Sequence, residues 1–399
     1  MKYTEQKPKP HQQRIIDLNP KKILLNWEAR CGKSLPAAIW IDNPCRIGNT
    51  FIICTKQNKK DWIEMGTRAT VLTKEEFKRV ANAIKDPTAI VVDELHHFNS
   101  GLFQKGRSQL STALYTLIKK YPYCDFMGLS ATMIRQNAWS LHTALCYIGV
   151  YYDWKKWREE FFYYVKLPFL RFPTWMPKPD WRINIRKYLE KHCDIVGLKD
   201  IINDLPPVET KIITVKHEQK YVRPLDKIVT WVDEHRWEQG GKLEEILKLG
   251  YKKVILVCKY TEQIDFLKDK LKDEKPVFVL DGRERDQSVV KKQAQEAEEC
   301  YFICQSAMGE TWDGWSFGCM VFVSLGHSCY QHTQMVGRQR HLEHLRPVEI
   351  IYLIGGVWDQ RIYDTVVVKG KTFNPHIYLH EEEDELLLEN ESSRPTKNS

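Results

Sequence analysis

The chain has 399 residues, with 60 Lys and Arg against 52 Asp and Glu and a formal net charge of +8. At roughly 150 residues per domain that length makes two or three domains, and a content of 43% hydrophobic and 12% aromatic residues excludes a largely disordered chain. No apolar run approaches the ~18 residues of a membrane span, the first residues lack the apolar stretch of a secretory signal, and eleven scattered Cys without a C-x-x-C pair argue against a disulfide framework. A reduced, cytoplasmic setting is therefore the expectation.

The first half alternates short apolar runs with helical patterns, which predicts a parallel α/β sheet. Ile23-Leu24-Leu25 is the first expected strand, and an apolar helix is expected over 35–41. Between them lies Arg30-Cys31-Gly32-Lys33-Ser34. A phosphate loop belongs at such a strand-to-helix turn. Backbone N–H groups at the helix N-terminus bind phosphate oxygens, Lys33 reaches the β- and γ-phosphates, and the Ser34 hydroxyl holds Mg²⁺. Trp27 stands where the full G-x-x-x-x-G-K-[ST] pattern has its first Gly.

Further strands are expected over 51–54, 89–92 and 126–129. Asp93-Glu94-Leu95-His96 closes the third of these, 60 residues after Lys33. In a nucleotide site Asp93 coordinates Mg²⁺ and Glu94 polarises the attacking water as general base. The competing reading is a strand end with an acidic helix cap. Ser130-Ala131-Thr132 ends the fourth strand at a spacing suited to sensing the γ-phosphate.

Residues 150–192 carry 13 of the chain's 46 aromatics and ten Lys and Arg against five Asp and Glu. Trp154, Trp157, Phe161 and Tyr164 form one stripe of a helix, and Lys155, Lys156 and Arg158 fall off it. The stripe reads either as the segment's own core or as a surface that stacks on bases, and the cations as phosphate contacts. A helical insertion is expected here, leading through Leu205-Pro206-Pro207 into a second α/β region. Strands there are expected over 254–257, 277–280, 301–304, 320–323 and 350–353, with a helix near 263–271. Cys300, Cys304, His327, Cys329 and His332 lack the tight ligand pairing of a zinc site and read as core residues. Gln334-Met335-Val336-Gly337-Arg338-Gln339-Arg340-His341 presents an arginine suited to stabilising charge on a transferring phosphoryl group. From 381 to 399 seven acidic residues face two basic ones, a net of −5 that leaves +13 on the rest. This end reads as a solvated terminus or as a mimic of nucleic-acid phosphate.

Taken in order, these motifs resemble those of superfamily 2 helicase-type ATPases, and more narrowly the Swi/Snf-like branch in its compact bacteriophage form. The narrower resemblance rests on Trp27-Glu28-Ala29-Arg30-Cys31-Gly32-Lys33, Asn137-Ala138-Trp139-Ser140-Leu141, the aromatic run 157–164, Leu205-Pro206-Pro207, Gln219-Lys220-Tyr221 and Gly241-Lys242-Leu243. It covers roughly residues 10 to 365.

The resemblance implies two RecA-like parallel-sheet domains in tandem with a helical insertion between them. The expected divisions are 1–148 for the first RecA-like domain, 149–205 for the insertion, 206–240 for a linker, 241–368 for the second domain and 369–399 for the acidic C-terminal segment. It implies that Gln12 recognises adenine, that Arg30, Cys31, Gly32, Lys33 and Ser34 hold the phosphates, and that Asp93 and Ser34 hold Mg²⁺. Glu94 activates water, while Gln334 and Arg338 complete the site across the cleft. His341 stands where the family has a second Arg, with Arg340 adjacent. Thr55, Lys56 and Thr73 match positions that touch the nucleic-acid backbone.

The function implied is an ATP-dependent DNA helicase or translocase acting with little sequence preference. The alternatives are an RNA-dependent helicase and an ATP-switched binding protein without motor activity; RNA, or replication and recombination proteins, are then the partners. ATPase stimulation by different polymers separates these readings.

Overall fold

The computed structural model describes residues 2–100, 108–134, 138–166, 174–178, 180–202, 208–215, 240–283, 287–308, 316–326, 328–337, 339 and 347–368. The chain divides into two compact units, Met1–Asn203 and Asp204–Lys371, and each is an α/β layer structure around a large parallel sheet.

The first unit opens with α1 (Pro10–Leu18), β1 (Lys22–Trp27) and α2 (Ser34–Ile41). There follow β2 (Asn49–Cys54), α3 (Lys59–Glu64), β3 (Thr70–Thr73), α4 (Lys74–Val80), β4 (Pro87–Val92), α5 (Gln109–Lys120) and β5 (Asp125–Ser130). It continues through α6 (Ala138–Tyr147), α7 (Trp154–Phe161), β6 (Phe162–Val165), β7 (Thr174–Pro177), α8 (Trp181–His192) and β8 (Cys193–Val196). Six strands form one sheet in the order β3-β2-β4-β5-β1-β8, every neighbouring pair parallel. Its central strands are buried along nearly their whole length, because helices cover both faces of a parallel sheet. α2 is likewise apolar on every side, with Leu35, Ala37, Ala38, Trp40 and Ile41 all buried, so packing rather than an amphipathic face holds it in place.

The second unit runs β9 (Val208–Thr214), α9 (Gly240–Leu247), β10 (Lys253–Cys258), α10 (Thr261–Leu271), β11 (Val277–Leu280) and α11 (Gln287–Glu296). It closes with β12 (Cys300–Gln305), β13 (Cys319–Phe322), α12 (Cys329–Gly337), β14 (Val348–Ile354) and α13 (Val357–Tyr363). Its sheet has the order β11-β12-β10-β13-β14-β9, again parallel throughout. Two apolar clusters fill its faces, one around Phe302, Phe317 and Met320 and one around Leu256, Ile264 and Val321. Cys300 and Cys304 lie buried in the first. His332 Nε2 meets the Tyr352 hydroxyl at 2.6 Å, and desolvation pushes its imidazole down to about 4. Among the described residues no group of three or more His, Cys, Asp or Glu is placed to hold a metal ion.

The region expected as a purely helical insertion is built differently. α7 ends at Phe161, and Phe162–Val165 pairs antiparallel with Thr174–Pro177. Tyr164 therefore sits on a strand and is 59% exposed, whereas Trp157 and Phe161 are buried. Trp139 stacks on both Trp154 and Phe162, with ring centroids 4.0 and 4.1 Å away. Trp157 and Phe161 share one core with Leu24 and Ile53 of the sheet and Leu189 of α8. The stripe thus serves as core for its first three members and fails at the fourth.

β8 then joins the first sheet beside β1, and β9, inside the expected linker, pairs along its length with β14. Both escaped the apolar-run criterion. β8 is four residues with an Asp, and β9 is an edge strand whose middle positions are exposed. No helix among the described residues is long and apolar enough to cross a membrane.

Candidate active site

β1 delivers the chain into the loop 28–33. Glu28 N–H donates to Val196 O of β8 at 2.8 Å, and Cys31 N–H closes a turn on Glu28 O at 3.3 Å. Arg30 and Gly32 both adopt positive φ, 73° and 74°. A Cβ on Gly32 would lie 2.4 Å from Gln12 Nε2, so glycine is required there twice over, for its dihedral and for the close approach. Lys33 leads into α2, and its ammonium donates to Trp27 O at 3.0 Å and Glu28 O at 3.2 Å. Among the described residues the N–H groups of Gly32, Lys33 and Ser34 have no hydrogen-bond partner. Three successive free donors at a helix start, with an ammonium beside them, suit a phosphate chain.

Gln12 is engaged differently from the adenine contact expected of it. It is buried, its Nε2 donates to Gly32 O at 2.8 Å, and its Oε1 accepts from Lys9 N–H at 2.8 Å. The amide thereby ties α1 to the loop 28–33. His11 Nε2 adds a 2.8 Å bond with Cys31 O. The Cys31 thiol is fully buried and pushed up to about 12, first by that burial; it stays neutral, and only its backbone is available to a nucleotide.

Asp93 and Glu94 follow β4. Asp93 is buried, its Oδ2 accepting from Asn58 Nδ2 and Trp62 Nε1, both at 3.0 Å. Its Oδ1 accepts from Glu94 N–H at 3.0 Å. Burial, and then the Glu94 charge, push the Asp93 carboxyl above its ordinary range, opposed by these two side-chain donors and by the nearby Lys33 ammonium. A divalent cation offsets both raising influences, so the residues present fit Mg²⁺. Glu94 takes a left-handed backbone, φ 51°, and its Oε2 lies 3.2 Å from His96 Nδ1. His96 Nδ1 in turn meets Ser130 Oγ at 3.4 Å, and Thr132 N–H donates to the same Oγ at 3.0 Å. A chain of contacts therefore runs from the acid pair to the end of β5. There the buried Thr132 Oγ1 has no partner among the described residues.

The remaining expected residues fare variously. Ser34 is the first residue of α2. Thr55 is buried, and its carbonyl accepts from Asn58 N–H at 3.2 Å, the turn that brings Asn58 to Asp93. Lys56 is exposed. Thr73 forms a capping box for α4: its hydroxyl accepts from Glu76 N–H and its N–H donates to Glu76 Oε2. Lys155 and Lys156 are exposed, and the Arg158 guanidinium lies 4.2 Å from the Trp175 ring centroid. Gln334 is buried on α12 of the second unit; Arg338, Arg340 and His341 lie outside the described residues.

Sequence reasoning missed Asn58, Trp62 and His96, and also Asn26, a fully buried Asn in an apolar strand whose Oδ1 accepts from Met133 N–H at 3.4 Å. The buried Asn in Lys-Ile-Leu-Leu-Asn-Trp was a visible signal, because such a strand carries a polar group only where it has a partner or a task. Trp62 suggests a direct test. Trp62→Phe removes one donor to Asp93 and, because the buried indole is larger than a phenyl ring, also leaves a cavity. Divalent-cation binding at Asp93 should weaken several-fold and the melting temperature should fall, as read from a magnesium titration beside a thermal melt.

No protein-family model matches this sequence, and no curated protein matches it.

Proposed function

We propose that the chain is an ATP-dependent DNA motor, a helicase or translocase of the superfamily 2 type close to the Swi/Snf-like branch, with its two sheets as RecA-like units. The observation that carries the reading is the placement of three motifs on adjacent strands. The phosphate loop leaves β1, the acid pair leaves β4, and Ser130-Ala131-Thr132 leaves β5 between them. All three emerge at the carboxyl ends of a parallel sheet, where open α/β folds bind ligands.

On this reading Lys33 and the N–H groups of Gly32, Lys33 and Ser34 hold the β- and γ-phosphates of ATP, the substrate. Asp93 and Ser34 would hold Mg²⁺, which supplies charge neutralisation on the phosphate oxygens. Glu94 accepts a proton from the attacking water, and His96 fixes the orientation of its carboxylate. Ser130 and Thr132 report the state of the γ-phosphate to the rest of the unit. The resemblance assigns Arg338 the part of an arginine finger and gives Gln334 a part in the same reaction.

The test is ATP turnover measured with single-stranded DNA, duplex DNA, single-stranded RNA and no polymer. The DNA-motor reading expects at least tenfold stimulation by one of the DNA forms and less by RNA. Turnover highest with RNA would replace it with the RNA-helicase reading, and no turnover on any polymer would end it.

A further inference from the structure

One surface of the first unit carries an exposed and a half-buried aromatic ring beside an excess of cations, and the site described above does not use it. On the β6–β7 hairpin Tyr164 and Trp175 stand directly opposite each other, with ring centroids 5.1 Å apart. Cross-strand neighbours of this kind point to the same face of the hairpin. The Arg158 guanidinium covers Trp175 at 4.2 Å from its centroid. Tyr164 is 59% exposed, far more than a ring needed only for packing.

The charge around these rings is only partly compensated. Among the described residues Lys155, Lys156 and Arg158 make no ion pair, and Arg158 Nε is buried without a hydrogen-bond partner. Two of the nearby acids are already engaged. Asp153 accepts from Lys156 N–H to cap α7, and Glu160 is held by Lys187 Nζ at 2.9 Å and Tyr188 OH at 2.7 Å. Asp153, whose charge interacts with Lys155 and Lys156, and the exposed Glu159 leave an excess of one positive charge among these three cations. Lys155 and Arg158, three residues apart on α7, share a helix face.

We infer that Tyr164, Trp175, Arg158 and Lys155 form a platform for single-stranded DNA, on which a base stacks against Tyr164 while Arg158 and Lys155 take the flanking phosphates. The choice of polymer rests on the DNA-motor reading; the single-stranded form follows from the rings themselves. Stacking needs an open base face, which a duplex offers only at its end, and it is indifferent to sequence because every base has such a face. The cations fix the sign of the partner, since their charge exceeds that of the neighbouring acids and none of the three is held in an ion pair, so an anionic chain is what they attract. Tyr163, 42% exposed, follows Phe162 on the opposite side of the strand and lies off the platform.

The experiment is binding of a fluorescein-labelled twenty-nucleotide oligothymidylate to the full chain by anisotropy, without nucleotide, at two salt concentrations. Tyr164→Ala should weaken binding about tenfold, within the range found for loss of one stacked base, and Tyr164→Phe should restore it. Tyr163→Ala should bind as the parent does. Arg158→Gln should weaken binding and flatten its salt dependence. Parent-like binding by Tyr164→Ala, or equal losses in Tyr163→Ala and Tyr164→Ala, would overturn the platform, as would a parent that does not bind the oligonucleotide. Because the assay contains no ATP, it separates the two readings: a chain that loses DNA through Tyr164→Ala yet never hydrolyses ATP keeps the platform and loses the motor. A DNA-stimulated ATPase indifferent to Tyr164 does the reverse.

Discussion

Glu94→Gln should lower ATP turnover by about 10²–10⁴-fold, the usual contribution of a positioned general base, while leaving ATP affinity within a few-fold of the parent. The substitution keeps the side-chain volume and an oxygen for the contact with His96, now 3.2 Å from Glu94 Oε2, but removes the group that takes the proton. It also removes one of the two influences that raise the Asp93 carboxyl, the Glu94 charge. Asp93 should then ionise at lower pH, so Mg²⁺-dependent ATP binding should persist further into acid than in the parent. The sign follows from the need for an ionised Asp93: cation binding is lost as pH falls through its pKa, and a lower pKa moves that loss downward. Turnover and a fluorescent ATP analogue, measured between pH 5 and 8, read both effects. Turnover surviving the substitution would remove Glu94 from the role of base.

Gly32→Ala should weaken ATP binding more than tenfold. At φ 74° an L-residue costs about 1–2 kcal/mol. The added methyl would also stand 2.4 Å from Gln12 Nε2, forcing the amide away and breaking its bonds to Gly32 O and Lys9 N–H. Each of those is worth about 0.5–1.5 kcal/mol. The relaxed loop loses the alignment of the N–H groups that face the phosphates. Adding Gln12→Ala relieves the collision but not the dihedral, so the double variant should regain only part of the affinity. Full recovery in the double variant would show that the dihedral does not matter.

The sheets were legible because their strands are short apolar runs, and a strand buried on both faces needs no alternation to be recognised. The strand-to-helix turn at 28–33 and the carboxylates Asp93 and Glu94 could be placed from the sequence because an apolar strand precedes each. What escaped depended on contacts distant in sequence. Asn58 and Trp62 reach Asp93 across 35 and 31 residues, and the turn that brings them there is held by Thr55 O, so no local pattern announces them. Gln12 was expected to meet adenine; its contact with the backbone at Gly32 could be read only from the fold. Thr73 carries a local signal of its own. Thr followed three residues later by Glu is a capping box, and Thr73 with Glu76 makes one. At the hairpin, Tyr164 continued a helical period past the point where Phe162 turns inward to stack on Trp139.

The most direct test of the motor reading is displacement of streptavidin from a biotinylated end of single-stranded DNA, followed in the same reaction as ATP hydrolysis. A motor should clear streptavidin from one end of the strand faster than from the other, only with ATP and Mg²⁺, and Glu94→Gln should abolish both clearance and hydrolysis. DNA-stimulated hydrolysis that leaves streptavidin in place at both ends would contradict movement along the strand and leave an ATP-switched binding protein in its stead.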